Sequence, residues 1–315
     1  MLPKDGFAKY ALSPLLSRRA TQKGNRLNLN ILLQYLAPQK TLTRLTYALA
    51  RWTFGPWKRW AIQHVIRKFN VDLSLAAEPN PEAYPHFNAF FTRTLRPDAR
   101  QADPDCNALL CPVDGRISQV GRIDAGRIFQ AKGHDYSVDE LLGGDAQAAD
   151  PYRNGHFVTI YLSPSDYHRV HMPLGGRLVR TVHVPGKLFS VSPATVDAVP
   201  RLFARNERLV CHFESGHGPF VVVMVGAMLV SSVTTVWGGL TIPPYARTIQ
   251  QRDYDDDTIE IDRFAEMARF NMGSTVIVLF PDGMAELDAL GPQQKVQYGE
   301  RLGQLTAAHR SATTV

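Results

Sequence analysis

Three short segments of the sequence carry residue types that could do chemistry. Asp114 lies in a Pro-Val-Asp-Gly turn, His168 and His171 follow a Ser-Pro-Ser turn, and Ser274 follows Gly273 at the start of an apolar run. An aspartate, a histidine and a serine in this order could form a nucleophile, its base and the group that orients the base. Each segment also has an ordinary structural explanation, because Asp-Gly and Gly-Ser steps are common in turns and a histidine can be buried and hydrogen-bonded.

The spacing of the two histidines also raises the question of a metal site. No nearby Cys, Glu or third His completes a ligand set with His168 and His171, so we expect no metal. The cysteines, Cys106, Cys111 and Cys211, form no CxxC pair and are odd in number. This pattern argues against a disulfide scaffold and a zinc site and favours a reducing compartment.

The segments that must position these residues are predicted to be mostly β-strands. Helical patterns in this part of the chain are brief, at residues 86–97, 137–142 and 262–270. The predicted fold class is α+β, with a basic helical region at residues 1–85 and a β-rich catalytic domain at residues 86–315. The strand-like runs, rich in Val, Ile and Thr, are Phe157–Leu162, Gly176–Val184, Arg208–Phe213, Phe220–Val230, Val233–Trp237 and Thr275–Phe280.

The first 70 residues are strongly basic. They contain 13 Lys and Arg against one acid, whereas the remaining residues carry a net charge of −6. Two helical apolar patterns, at residues 42–52 and 62–69, are separated by Pro56. Basic helices with tryptophan are typical of a lipid interface, although the same pattern fits helices packed on the protein's own core. The predicted membrane contacts are Trp52, Trp57, Lys58, Arg59 and Trp60.

Several other classes of protein fit the sequence poorly. The longest apolar run, at residues 220–230, is shorter than the roughly 20 residues of a membrane-spanning helix. Charged residues interrupt the N-terminus, so we expect no signal peptide and an intracellular protein that is soluble or peripheral. The acidic body and the absence of an aromatic and basic strand surface argue against nucleic acid as a partner.

Five segments together resemble bacterial phosphatidylserine decarboxylase. The resemblance runs from about residue 87 to residue 283, with a weaker match at residues 296–304, and it is specific because SPSDYHRVHMP is combined with a downstream GST. Met272 stands where the family typically has Leu, a conservative change between apolar residues of similar volume. The segments are CPVDG (111–115), AKGHDYSVDELLGG (131–144), YLSPSDYHRVHMP (161–173), LFARNERLV (202–210) and FNMGSTVIVLFPDG (270–283).

The resemblance implies a proenzyme that cleaves itself. In such a proenzyme the oxygen of Ser274 attacks the carbonyl of Gly273, and the chain is cut into a β chain (1–273) and an α chain (274–315). Ser274 becomes a covalent pyruvoyl group, which would be the cofactor and would form a Schiff base with the substrate's amine. The resemblance assigns His171 as the base that activates Ser274 and Asp114 as the group that orients this base. His168 is the candidate for moving protons during decarboxylation.

The resemblance also implies partners and a location. The substrate, phosphatidylserine, is an anionic lipid and the product, phosphatidylethanolamine, is net neutral, so we expect a peripheral protein on the cytoplasmic side of the cell membrane. The two chains should form a heterodimer, and a dimer of these heterodimers is left open. Two alternatives remain, a serine hydrolase using Asp114, His171 and Ser274, and a nonenzymatic lipid-binding protein. The hydrolase would keep its serine and its chain intact, and the sequence lacks the Gly-x-Ser-x-Gly elbow.

Overall fold

The computed structural model describes residue 29 and residues 31–229, 232–243, 245–255, 258–271 and 275–306. The chain divides into two compact units between residues 37 and 38. In the first unit, residues 31–36 form a helix, α1. Among the described residues, no helix combines the length and the hydropathy that crossing a membrane would require.

Two helices open the second unit, α2 (Gln39–Ala50) and α3 (Gly55–Phe69). Pro56 lies in the first turn of α3, where a backbone N–H has no partner within the helix and its loss is tolerated. The helix ends at Asn70, whose left-handed conformation (φ 52°) suits a C-terminal cap. The predicted break at Pro56 is therefore confirmed.

The inner face of α3 packs against a short aromatic helix, α4 (Phe87–Phe91). Ala61 and Ile62 of α3 belong to one buried apolar cluster with Phe87, Phe90 and Phe91 of α4. This cluster crosses the boundary predicted between residues 85 and 86. The boundary itself stays a prediction, because contacts do not measure whether either part folds alone.

The rest of the chain is mainly strand. Four further short helices and a 3-10 turn connect the strands, namely α5 (Val138–Leu142), α6 (Ala146–Ala149), Asp150–Tyr152, α7 (Pro193–Val196) and α8 (Leu202–Arg205). The strands are β1 (Ala108–Leu110), β2 (Gly115–Arg122), β3 (Arg127–Ala131), β4 (His134–Ser137), β5 (His156–Tyr161), β6 (Arg169–His171), β7 (Gly176–Val184), β8 (Arg208–Ser215), β9 (Gly218–Val225), β10 (Val233–Thr235), β11 (Gly239–Ile242), β12 (Gln250–Asp253), β13 (Glu260–Ile261), β14 (Glu266–Phe270), β15 (Thr275–Phe280), β16 (Ala285–Leu287), β17 (Lys295–Val296) and β18 (Arg301–Leu305).

A nine-stranded antiparallel sheet forms the centre of the second unit, in the order β12-β7-β8-β9-β15-β5-β2-β17, with β13 also paired to β7. A four-stranded sheet, β11-β10-β14-β6, a three-stranded sheet, β1-β18-β16, and the β3-β4 hairpin complete the strand pairing. The predicted α+β class with a β-rich core is therefore confirmed.

Strand β15 lies between β5 and β9 and has every residue buried. Its sequence is a continuous apolar run, which is typical of a strand covered on both faces. Thr275, its first residue, is opposite Tyr161 on one side and Val225 on the other. This register fixes the point at which the chain re-enters the sheet after Ser274.

The structure corrects three sequence predictions. Residues 262–270 were expected to be helical, but β14 pairs with both β6 and β10, so strand pairing overrides the local pattern. The predicted strand at residues 220–230 ends at Val225. The helix predicted over residues 86–97 stops at Phe91, because a turn follows at Thr92 and Leu95 forms a β-bridge with Ala76.

Candidate active site

His168 immediately precedes the short strand β6, and His171 is its last residue. This strand pairs with β14, so that His171 is opposite Glu266 and the carbonyl of His168 accepts a hydrogen bond from the N–H of Phe270 (3.0 Å). The histidines are three positions apart along this extended segment, a distance of about 10 Å. His168 therefore lies beside the end of β14 from which the chain continues towards Ser274.

The predicted cleavage site lies just beyond that end. Met272, Gly273 and Ser274 lie outside the described residues, which resume at Thr275 in β15. Asn271, the last described residue before them, is buried and bonded to Asn88 (3.2 Å) and to Thr234 (2.8 Å). The predicted cleavage site therefore falls in the chain between Asn271 and Thr275.

His168 is fully buried and neutral. Its Nδ1–H donates to the carbonyl of Asp166 (2.7 Å), and its ring lies 4.0 Å from the ring of Phe91. Burial, with the nearby charge of Arg93, lowers the pKa of His168 to about 3. The lone pair on Nε2 has no hydrogen-bond partner among the described residues. His168 is thus arranged to accept a proton at Nε2.

His171 is also buried, but both of its ring nitrogens are engaged. Nδ1–H donates to the carbonyl of Phe264 (2.8 Å), and Nε2 lies 3.2 Å from the hydroxyl of Tyr167. Burial raises the pKa of Tyr167, so this hydroxyl keeps its proton and donates it. Burial also lowers the pKa of His171, an effect that the Phe264 hydrogen bond and the charges of Glu266 and Asp114 partly offset.

Asp114 lies in the same cluster but binds other partners. Its carboxylate accepts two hydrogen bonds from Arg100 (2.5 and 3.3 Å) and one from the N–H of Tyr298 (2.9 Å). The ring of Tyr298 stacks on His171 at 3.9 Å. Among the described contacts, the group that fixes Nδ1 of His171 is the Phe264 carbonyl, and Asp114 acts on His171 through its charge. The structure thus brings Asp114 and His171 into one cluster and places His168 closer to the cleavage segment.

An apolar pocket of about 320 Å³ lies beside His168. Phe91, which contacts the His168 ring, and Tyr161, which is opposite Thr275, both line it. Val65 and Phe69 supply a wall from α3. The pocket therefore lies between the helical region and the end of β5, the strand that pairs with β15.

The residues predicted to contact a membrane have unequal surroundings. Trp52 and Trp60 have 49% and 56% of their surface exposed. Trp57 is half-buried and its indole N–H donates to the carbonyl of Leu49 (2.9 Å). Lys58 and Arg59 both bond to Glu82, at 3.0 and 3.2 Å. Contact with a membrane stays a prediction for all five, of which Trp52, Arg59 and Trp60 are exposed.

Sequence reasoning missed several members of the site. Tyr167 lies inside the histidine motif, and its type and position could have suggested a hydrogen-bonding role. Phe91, Arg93 and Tyr298 are brought to the histidines only by the packing of α4 and by the turn after β17. No local pattern marks these three as members of a site.

The geometry suits an enzyme that moves protons at a buried, uncharged centre, with an apolar pocket for part of its substrate. The sequence profile of the family described as Phosphatidylserine decarboxylase matches residues 87–304, more than half of the chain, and a second profile described as PSD matches residues 29–70. The chain therefore belongs to the phosphatidylserine decarboxylase family, which confirms the resemblance found in the motifs.

Similar proteins share most of their length with this chain. A protein of Stenotrophomonas maltophilia (strain R551-3) named phosphatidylserine decarboxylase proenzyme is 56% identical over 280 residues, covering 89% of this chain and 100% of that protein. Proteins of the same name from Xanthomonas campestris pv. campestris (strain B100) and Xanthomonas oryzae pv. oryzae are 57% identical over 277 residues and 59% identical over 271 residues. They cover 88% and 86% of this chain, and the chain covers 98% and 96% of their lengths.

Proposed function

We propose that the protein converts phosphatidylserine into phosphatidylethanolamine and CO2 by means of a pyruvoyl group made from its own Ser274. The enzyme class follows from membership of the family, and the pyruvoyl group and the residue roles are our proposal. One observation carries it most directly. A fully buried, neutral His168 has an unengaged Nε2 beside the strand end that leads to Ser274.

The surroundings of residues 272–274 fit a pyruvoyl group. When formed, such a group supplies a carbonyl that can react with an amine and an adjacent amide carbonyl that can accept electrons. It is uncharged and covalently attached, so its site needs buried donors and acceptors rather than a binding loop. His168 Nε2 and Thr275 Oγ1 are buried polar atoms without partners among the described residues, and they flank the segment.

For self-cleavage, a base must take the proton from the hydroxyl of Ser274. We assign this step to His171, with Asp114 holding a negative charge near its ring. His171 would then return the proton to the amide nitrogen of Ser274 as the bond to Gly273 breaks and the ester forms. Because Tyr167 engages Nε2 of His171, its hydroxyl must turn away or relay the proton. The position of His168 gives the competing assignment, in which His168 is the base for cleavage.

For decarboxylation, His168 would handle the protons of the substrate. With a pKa of about 3 it is neutral at physiological pH but too weak a base for an ammonium group, so we propose that the substrate's carboxylate raises this pKa when it binds and that Nε2 then takes the proton. The same nitrogen can return that proton to the α-carbon after CO2 leaves. One further proton comes from solvent when the product leaves as an ammonium, because the decarboxylation consumes one proton overall. Because His168 is fully buried, bulk water does not compete for this proton.

The lipid part of the substrate has a suitable neighbour in the apolar pocket. Its walls of Val65, Phe69 and Phe91 suit the glycerol backbone and the first carbons of an acyl chain. Because α3 carries both this wall and the exposed Trp60, we propose that α3 lies at the membrane surface while the pocket receives the lipid.

The test is to compare wild type with Ser274→Ala in an assay of CO2 release from vesicles that contain phosphatidylserine. We expect Ser274→Ala to stay a single chain and to release no CO2. Ser163→Ala, a change of the same type in the turn before His168, should still cleave and serves as the control. Activity in the uncleaved Ser274→Ala protein would contradict the proposed cofactor.

A further inference from the structure

A second cavity, here called the arginine cavity, lies on a different face of α4. It has a volume of about 620 Å³, and Arg51, Arg93, Arg169 and Arg269 line it, with no acidic side chain among the described residues of its wall. Only Arg169 of the four makes an ion pair within the described part of the chain, to Glu266 (2.6 Å). Three guanidinium groups therefore line the cavity without an ion-pair partner among the described residues.

Arg93 distinguishes this cavity from an ordinary basic surface, because its guanidinium group is buried and two of its nitrogens have no acceptor among the described residues. The residue is 5% exposed, and its Nη2–H donates to the carbonyl of Ser165 (3.1 Å). Its Nε and Nη1 atoms are buried and have no partner among the described residues. A buried guanidinium with free donors is unfavourable unless an acceptor joins it, and its planar fork matches the oxygens of a phosphate.

The edge of the arginine cavity is apolar and exposed. Leu240 lines the cavity and is 45% exposed. Trp52 follows Arg51 directly and stacks on Phe54 at 5.2 Å, and both rings are about half exposed. A basic cavity with exposed Leu240 on its wall, and with exposed Trp52 next to Arg51 in the chain, suits the headgroup level of a bilayer. This edge favours a phospholipid over a free phosphate ion as the occupant.

The arginine cavity shares no wall residue with the apolar pocket beside His168, although Asn271, the last described residue before the cleavage segment, also lines the cavity. Phe87 and Phe91 of α4 line the pocket, whereas Asn88 and Thr92 line the cavity. We propose that the arginine cavity binds the phosphate of an anionic phospholipid that is not the substrate, and thereby holds the enzyme on an anionic membrane. The proposal rests on the proposed function only in assuming that the enzyme works at a membrane.

The test measures binding to vesicles of phosphatidylcholine with phosphatidylglycerol, a lipid with neither the amine nor the carboxylate that the reaction needs. Arg51→Gln and Arg269→Gln should each weaken binding about tenfold, the loss typical of one charge-assisted hydrogen-bonding partner. The matched control is Arg44→Gln on the same helix, which removes the same charge outside the cavity and should weaken binding less than about threefold. Circular dichroism checks that each variant is folded.

Two further arms separate the possible occupants. Turnover of phosphatidylserine in neutral detergent micelles should keep its KM within about twofold in Arg51→Gln, and millimolar inorganic phosphate should not displace the protein from the vesicles. If Arg44→Gln and Arg51→Gln weakened vesicle binding equally, the loss would reflect surface charge alone, and the proposed site would be overturned. A tenfold rise in the micellar KM would make the cavity a substrate subsite, and displacement by phosphate would make it a free-anion site. The binding arms need no catalysis, so they stand even if the pyruvoyl proposal fails.

Discussion

The neutral state of His168 predicts a specific loss of stability in acid. An unfolded histidine takes up a proton near pH 6.5, whereas folded His168 does so only near pH 3. Its pKa is therefore depressed by folding, so the stability linked to neutral His168 is complete above pH 6.5 and is lost as pH falls towards 3. Since one pKa unit corresponds to about 1.4 kcal/mol, this residue alone should remove about 2 kcal/mol between pH 6.5 and pH 4.5.

The assay is urea unfolding at pH 6.5 and pH 4.5, carried out in a Ser274→Ala background so that a single chain unfolds. His168→Gln should be less stable at pH 6.5 but should lose about 2 kcal/mol less than its parent on going to pH 4.5. His212→Gln is the positive control, because burial lowers the pKa of His212 to about 4 and its removal should flatten the profile in the same direction. If His168→Gln and its parent lost the same free energy of unfolding between pH 6.5 and pH 4.5, the conclusion that His168 is buried and neutral would be refuted.

Three other predictions concern single side chains. On a denaturing gel, His171→Ala should remain uncut and His168→Ala should be cut but decarboxylate poorly; the reverse pattern would exchange their roles. Arg100→Gln should lower the free energy of unfolding by about 3 kcal/mol in urea titrations, because Asp114 would be left buried without its charged partner, and a loss below about 1 kcal/mol would contradict that burial. Trp60→Ala should reduce binding to anionic vesicles equally at low and high salt, since its contribution is apolar, and an effect confined to low salt would argue against insertion.

Much of the fold could be predicted because local patterns and tertiary pairing agree. Strand β15 is a continuous apolar run at the centre of a sheet, and Pro56 begins α3 as its fixed backbone angle requires. The helix predicted over residues 262–270 was wrong because local pattern and tertiary pairing disagree there. That segment has a helical pattern, but β6 and β10 pair with it on both sides, and partners more than 30 residues away leave no local signal.

The sequence predicted which types of residue form the site, but it did not predict most of their contacts. The histidine motif and the Gly-Ser step could be found by their chemistry, and Asp114 does lie in the His171 cluster. Its bond to Arg100 and the Phe264 carbonyl on His171 depend on turns that only the folded chain brings together. The arginine cavity joins residues from α2, α4, β6 and β14, so no window of sequence contains it.

Conversion of Ser274 into a pyruvoyl group is the central claim, and intact mass spectrometry of the purified protein tests it most directly. The account predicts two chains, residues 1–273 and residues 274–315, with the smaller chain one ammonia lighter than a peptide that starts with serine. A single uncut chain in active protein, or a small chain that begins with a free serine, would contradict it.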